Sequence, residues 1–459
     1  MPQPIRILAA VAFTSGLVGC GPNKPADLVL RNGNIYTGVG DAPTAQAIAI
    51  LGDTIVFVGS NADARAYGGP KAQVIDLGGA TVFPGWADAH ADLRAIGERE
   101  IAHNLEAGNG SKLSPPSDAD VDSAIVVGAR RMVEMGWTQV HDVGGTWEQI
   151  DRIRRLYRTG ALKLRIYEAV RGPGRDADSL LSRGPGEREF DGRFTVRAIH
   201  MALDGALERR EAALLAPYAD QVATTGSITA DTAAVRTTML RALERDLQIQ
   251  VAAVGDRANR LAFDLVRAAH RMYKWEEHER SFRKRWRVEH ADIIDQSDVF
   301  RFRALELMPS VQPSHAIEGL HIAPSRLGAD RLEGAYAWRT FVELQVPVAG
   351  GSDAPTGRGD PRVEFYAAVS RRDLHGYSGP DSLWHPEEAL LREQALNLFT
   401  RFAAWAAFEN DVRGEIRPGG WADLTVFDTD LMTIPEPSIL GAKVVITVIG
   451  GEIVYSARP

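Results

Sequence analysis

The chain carries a single cysteine, Cys20, in 459 residues. One thiol cannot close an intrachain disulfide, so disulfide-stapled folds and multi-cysteine metal sites are excluded. The apolar run Ile7–Val18 is too short to span a bilayer, which takes roughly 20 apolar residues. Basic runs and internal repeats are also missing. With 52 Lys and Arg against 60 Asp and Glu, the net charge is −8. Nucleic acid is therefore a poor partner, because phosphate binding needs a basic face. Hydrophobic and charged fractions of 45% and 24% are those of an ordinary soluble protein, long enough for one large domain with a satellite.

The N-terminus is more specific. Arg6 precedes the apolar run, which ends Leu17-Val18-Gly19-Cys20. That ending resembles a bacterial lipobox, in which small residues precede a cysteine that is lipidated as the signal is removed. Residues 1–19 are thus expected to be a lipoprotein signal, and 20–26 the lipidated Cys20 with its tether. Gly21, rather than an aspartate, favours the outer membrane facing the periplasm, with the lipid as the only membrane attachment. The alternative is a plain secretory signal or a buried helix that happens to contain a cysteine.

Residues 28–36 alternate as strands do, and Ile48–Ile50, Gly52-Asp53 and Thr54–Gly59 spell a hairpin. Ala422–Asp428, Val444–Ile449 and Glu452–Tyr455 repeat that texture at the other end. One small composite β-sandwich, residues 27–80 with 412–459, follows. Between them, residues 81–411 alternate strand-like and helical stretches. Eight apolar runs stand out: Thr81–Asp88, Trp137–Val143, Leu162–Val170, Thr195–Leu203, Ile249–Val254, Trp286–Ala291, Leu307–Gln312 and Val346–Ser352. Helical patterns such as Ala124–Met135 and Ala258–Tyr273 separate them. The fold class predicted is α/β, a (β/α)8 TIM barrel carrying the sandwich; a doubly wound open sheet is the alternative. The stretch Arg171–Arg193 reads as a solvated loop, and Lys274–Arg287 as a connection ending with Trp286 in the core.

Barrel chemistry gathers at the C-terminal ends of strands. There the sequence puts His90 and Asp92, His141 and Asp142, His200 and Asp204, Asp256 and Arg257, Glu289 and His290, Gln312 and His315, and Asp353. A lone strand-end histidine is usually a hydrogen-bonded core residue. Several on consecutive strands converge on one cavity.

The motifs PGWADAHADL (84–93), ALDGAL (202–207), AVGDRAN (253–259), RVEHADI (287–293), QPSH (312–315), GSDAP (351–355) and GEIRPGGWADLTVFD (414–428) resemble the amidohydrolase superfamily. The resemblance is to its amidohydrolase 3 group, N-acyl-amino-acid deacylase-like enzymes, and runs from Ala26 to Tyr455. It implies a metal site at His90, Asp92, His200, His290 and Asp353. Asp92 stands where the family has the second histidine of His-x-His, His200 where it has a carboxylated lysine, and Ala252 where it has a further histidine. His200 can ligate one metal but cannot bridge two as a carbamate, and Ala252 offers no ligand. One divalent ion is therefore expected: zinc, with manganese or iron as alternatives.

The implied activity is hydrolysis of a C–N, non-peptide amide-type bond in a small molecule. Asp353 would be the general acid–base, and His290 a ligand or oxyanion stabiliser. Arg257, His141 and His315 are candidate substrate-binding residues. The competing expectation is a catalytically degenerate lipoprotein of the same fold that binds a small ligand, and Ala252 is its best support. Homo-oligomerisation is left open.

Overall fold

The computed structural model describes residues 26–107, 117–273, 284–379 and 384–457. Cys20, with the whole expected signal and most of the tether, lies outside them, as does most of Lys274–Arg287. Among the described residues no helix is long and apolar enough to cross a membrane.

Strands from both chain ends share one core. A four-stranded sheet runs in the order Thr54–Gly59, Ala47–Leu51, Leu28–Arg31, Gln73–Asp76. A six-stranded sheet runs Glu452–Ser456, Val444–Ile449, Leu424–Phe427, Thr81–Pro84, Asn34–Tyr36, Thr44–Ala45. Leu28, Leu30, Ile48 and Ile50 of the first join Val82, Leu424, Val426, Ile446 and Val448 of the second in a buried cluster. The i, i+2 spacing of these residues is what puts them on one face of each strand.

Thr81–Pro84 corrects the expected boundary. It pairs antiparallel with Leu424–Phe427 and belongs to the sandwich, so the barrel starts at Trp86. Gly85 makes the corner. A Cβ there would lie 2.5 Å from Thr138 Oγ1, a clash that a glycine avoids.

The barrel strands are β1 (Trp86–Ala91), β2 (Trp137–Gly145), β3 (Arg165–Arg171), β4 (Phe194–Ala202), β5 (Gln248–Ala253), β6 (Arg287–His290), β7 (Met308–Val311) and β8 (Ala349–Gly350). Neighbours are parallel in that order. The first and eighth close the ring: Asp353 N donates to the His90 carbonyl at 2.9 Å, and Asp92 N to the Ala354 carbonyl at 2.8 Å. An open sheet leaves both edges unpaired, so closure rules that alternative out.

The expected helices are present within Asp118–Glu134 and Asp256–Met272. Arg171–Arg193 is more ordered than its composition suggests. It contains the helix Arg175–Arg183, whose Ala177, Leu180 and Leu181 are buried. The apolar signal there is three residues at i, i+3, i+4, easily hidden among charges. Trp286 does enter the core, with Nε1 donating to the Leu247 carbonyl at 2.9 Å.

Much of the lumen is polar. Gln139, His141, Tyr167, Gln248, Gln250, Arg287 and Glu289 are all buried. At the floor, Arg413 donates to Asp423 at 2.7 Å and Glu409 at 3.0 Å, while Arg165 donates to Asp423 at 2.7 and 2.9 Å. Buried charges persist only when paired and hydrogen-bonded, and these are. They also join the barrel to the C-terminal strands, because Asp423 immediately precedes Leu424–Phe427.

Candidate active site

At the C-terminal rim, His90 (β1), His200 (β4), His290 (β6), His315 (after β7) and Asp353 (after β8) come together. The rings of His90 and His290 lie 4.9 Å apart, those of His90 and His200 5.6 Å, and those of His290 and His315 5.6 Å. Asp353 lies between two of them, with Oδ1 3.6 Å from His90 Nε2 and Oδ2 3.4 Å from His315 Nε2. His290 and Asp353 both adopt left-handed backbone, φ 69° and 51°, uncommon for residues with a Cβ and concentrated at functional sites.

Outer nitrogens are tied down. His90 Nδ1 is 2.7 Å from Glu289 Oε2, and His290 Nδ1 is 2.9 Å from Gln312 Oε1. Both acceptors are oxygens, so each Nδ1 carries a proton, and Nε2 is the nitrogen left to act as a ligand once the ring is neutral. His315 Nδ1 meets Asp292 Oδ2 at 3.2 Å, and His200 Nδ1 has no partner among the described residues.

The charges follow. Burial disfavours the His315 cation, but Asp292 and Asp353 outweigh it and hold its pKa well above the usual value. Burial likewise opposes ionisation of Asp353, yet His315, His290 and His90 drive it well below the carboxylate range. His200 is pushed down to about 3, by burial first and then by His90. His200 is therefore a neutral imidazole, the form that binds metal.

This donor set suits a divalent cation. One ligand atom from each of His290, His315 and Asp353 lies within 4.8 Å of the others, and His90 and His200 stand beside them. Nitrogen and carboxylate oxygen are the donors zinc accepts. A cavity of about 510 Å³ opens onto the cluster, lined among others by His200, Ala252, His290, Glu318, Tyr336 and Asp353. The wall at β5 is the Ala252 methyl.

Four sequence assignments need correction. Asp92 does not reach the cluster. Its Oδ1 accepts from Ala95 N at 2.9 Å and caps the helix Leu93–Ala107. The β1 strand ends at Ala91, so the two-residue repeat that would put Asp92 beside His90 has already stopped. His141 lies deeper in the lumen, between Arg287, 2.7 Å from its Nδ1, and Gln139, 3.3 Å from its Nε2, and does not line the cavity. Arg257 also lies off the wall, its guanidinium donating to the Gly226 carbonyl at 3.1 Å. His315 moves the other way, from the substrate list into the metal cluster.

Four residues acquire roles that the sequence did not assign: Asp88, Arg287, Glu289 and Asp292. Asp88 accepts from His90 N at 3.1 Å and Ser352 N at 2.9 Å, fastening β1 to the chain after β8. Burial raises its pKa to about 6. The available signal was position: Arg287 and Glu289 are i, i+2 on one strand, and Asp88 and His90 likewise.

Comparison with known proteins bears on the family and the fold. A model described as the amidohydrolase family matches residues 98–455. The chain belongs to the amidohydrolase family. Putative amidohydrolase YtcJ of Bacillus subtilis (strain 168) is 31% identical over 258 residues, covering 56% of this chain and 47% of that protein. Protein LONG AFTER FAR-RED 3 of Arabidopsis thaliana is 28% identical over 327 residues, 70% of this chain and 52% of that one. The chain thus spans about half the length of the curated relatives it matches. An uncharacterized metal-dependent hydrolase from Pyrococcus horikoshii OT3 shares the fold, with TM-score 0.74 at 20% identity over 89% of this chain and 99% of its own.

Proposed function

We propose that this amidohydrolase is a metal-dependent hydrolase of C–N, amide-type bonds in a small molecule, working with one divalent ion, zinc in the first instance. One observation carries the reading: His90 and His290 each have Nδ1 occupied by a fixed acceptor, His90 Nε2 lies 3.6 Å from Asp353 Oδ1, and a ring nitrogen of His290 lies within 4.8 Å of the Asp353 carboxylate at the open end of the barrel. The ion would be held by His290, Asp353 and His90, with His200 or His315 completing the set. When bound, it supplies a Lewis acid that polarises the scissile carbonyl and lowers the pKa of water.

The chain's own groups do the rest. Asp353 is ionised, so an oxygen can take the proton of the attacking water and pass it to the leaving nitrogen. His315 holds that carboxylate through Oδ2, and Asp292 holds His315. Substrate would occupy the cavity that Glu318 and Tyr336 help to line.

The second reading, a barrel that binds a small ligand without turnover, is favoured by Ala252, which leaves β5 without a donor. Metal content separates the two. Protein purified without chelator is expected to carry one divalent ion per chain and to hydrolyse members of a panel of N-acyl amino acids and N-substituted formamides. Two ions per chain contradict the one-metal claim. No metal after zinc or manganese loading, with amides still bound, favours the second reading.

The Leu-Val-Gly-Cys segment supports an anchor as well. Lipid on Cys20 would place the enzyme at the outer membrane, facing the periplasm. Unchanged membrane association and mass in Cys20→Ser would overturn that placement.

A further inference from the structure

Arg287 is fully buried in the lumen below the histidine cluster, and it reaches across the barrel from β6 to β1 and β2. All three of its nitrogens are engaged. Nε donates to Glu289 Oε1 at 2.6 Å, one terminal nitrogen faces His141 Nδ1 at 2.7 Å, and the other donates to the Ala89 carbonyl at 3.0 Å. Guanidinium only donates, so His141 Nδ1 must be a lone pair. The proton of His141 is then on Nε2, facing Gln139 Oε1 at 3.3 Å. Glu289 accepts from Arg287 with one oxygen and from His90 with the other, which requires it to be ionised and His90 to carry its proton on Nδ1.

We propose that Arg287, braced by His141, is a positioning residue for the metal centre: it holds Glu289 so that His90 is confined to the Nδ1–H tautomer with Nε2 as its ligand atom. This rests on the metal reading above. His90 needs such help because its ring stands between two other imidazoles, those of His200 and His290, 5.6 and 4.9 Å away. A wrong tautomer would turn an N–H toward the ion. The bidentate shape of the guanidinium is what allows one residue to brace Glu289, the β1 carbonyl beside His90 and His141 together. A lysine offers a single nitrogen and cannot make all three contacts.

Two variants test the proposal: Arg287→Lys, and the charge-neutral pair Arg287→Met with Glu289→Gln, which keeps buried volume if the first fails to fold. The first readout needs no metal. In metal-free protein at pH 9, nitrogen NMR of labelled histidine, with His90 identified by His90→Gln, is expected to show the Nδ1–H tautomer. Either variant should lose that restriction. The second readout is zinc affinity and the visible spectrum of the cobalt-loaded protein. Affinity should fall by roughly 10- to 100-fold, the range for partners of metal-ligating histidines, and the cobalt bands should shift.

A merely structural arginine would lower thermal stability and leave tautomer, affinity and bands unchanged, and that result overturns the proposal. So does Nε2–H at His90 in the unaltered protein. If the unaltered protein shows the Nδ1–H tautomer but binds no metal, the tautomer assignment stands and the metal reading falls, so the two failures are distinguishable.

Discussion

Two groups of ionisable side chains sit at the same rim of the barrel and obey opposite rules. His90, His200, His290, His315 and Asp353 gather at a cavity. Asp92, Asp142 and Glu168 gather behind the β-wall, where Asp142 Oδ1 accepts from Leu93 N at 2.8 Å and Oδ2 from Gln149 Nε2 at 3.2 Å. Among the described residues no N–H reaches either oxygen of Glu168. Its neighbour is the Asp142 carboxyl, and two carboxyls in contact must keep a proton between them. Burial, then Asp142, holds Glu168 well above its usual pKa, while burial, then Asp92, raises Asp142 to about 7. The first group faces a cavity with nitrogen and carboxylate donors that suit a cation. The second has already solved its charge problem with protons and helix N–H groups, and it offers no open face.

Side-chain direction, not residue type, decides membership. His141 and Asp142 are adjacent on β2, so one points into the lumen and the other out to the helices. His90 still belongs to a strand, whereas Asp92 begins a helix. Aspartate is equally apt as ligand and as N-cap. A pattern of the form D-x-H-x-D therefore carries no information about which of these its last residue is until the strand's end is known. That explains what the sequence made legible. Motif order and eight apolar runs were enough for the barrel, and His90, His200, His290 and Asp353 were placed by strand ends. The role of His315 was not legible, because it depends on how the short helix after β7, Pro313–Gly319, brings its ring to Asp353. Nor was the inward reach of Arg287, which depends on an ion pair made with its own strand.

The comparison breaks most visibly at His290. His290→Ala removes a donor from the triad His290, His315 and Asp353, and leaves the carboxylate group untouched. Metal affinity should drop by more than the roughly 100-fold typical of a supporting partner, and hydrolysis with it, while the melting temperature of the metal-free protein changes little. Metal analysis and calorimetry on the same preparation check both halves. Retained metal would mean the cluster has been misread.

Asp142→Asn probes the other group. The carboxyl titrates near 7 in the fold and near 3.9 in the unfolded chain, so between those values the native state binds more protons. Its contribution to stability is complete below pH 4 and is lost as pH rises through 7. The slope for one proton is at most about 1.4 kcal/mol per pH unit. The asparagine variant should lose this slope, being less sensitive to pH between 5 and 8 in urea unfolding, with metal content unchanged. An identical pH profile would show that Asp142 does not carry the proton.

Ala252→His sharpens the cavity side. Ala252 lines the wall at β5, between the strands that carry His200 and His290, and a histidine there adds a donor where the chain has a methyl. Zinc should bind more tightly by on the order of tenfold, about 1.4 kcal/mol, as measured by competition with a chromophoric chelator. Weaker binding would indicate that the alanine provides room the site requires.

Asp92→Ala is expected to have the smallest effect, and it separates the two groups most directly. As the N-cap of Leu93–Ala107, Asp92 is worth about 1 kcal/mol, the usual cost of losing such a cap. That cost should appear in full at pH 5, where Asp142 is protonated and the two carboxyls do not repel. At pH 8 Asp142 is largely ionised, so removing Asp92 also relieves repulsion and the net loss should shrink. Unfolding at both pH values measures the difference. Metal per chain should be the same as in the unaltered protein at either pH, because the Asp92 carboxylate is turned to the helix. If Asp92→Ala instead loses metal while keeping its stability, the strand continues one residue further in solution and Asp92 rejoins His90 as a ligand.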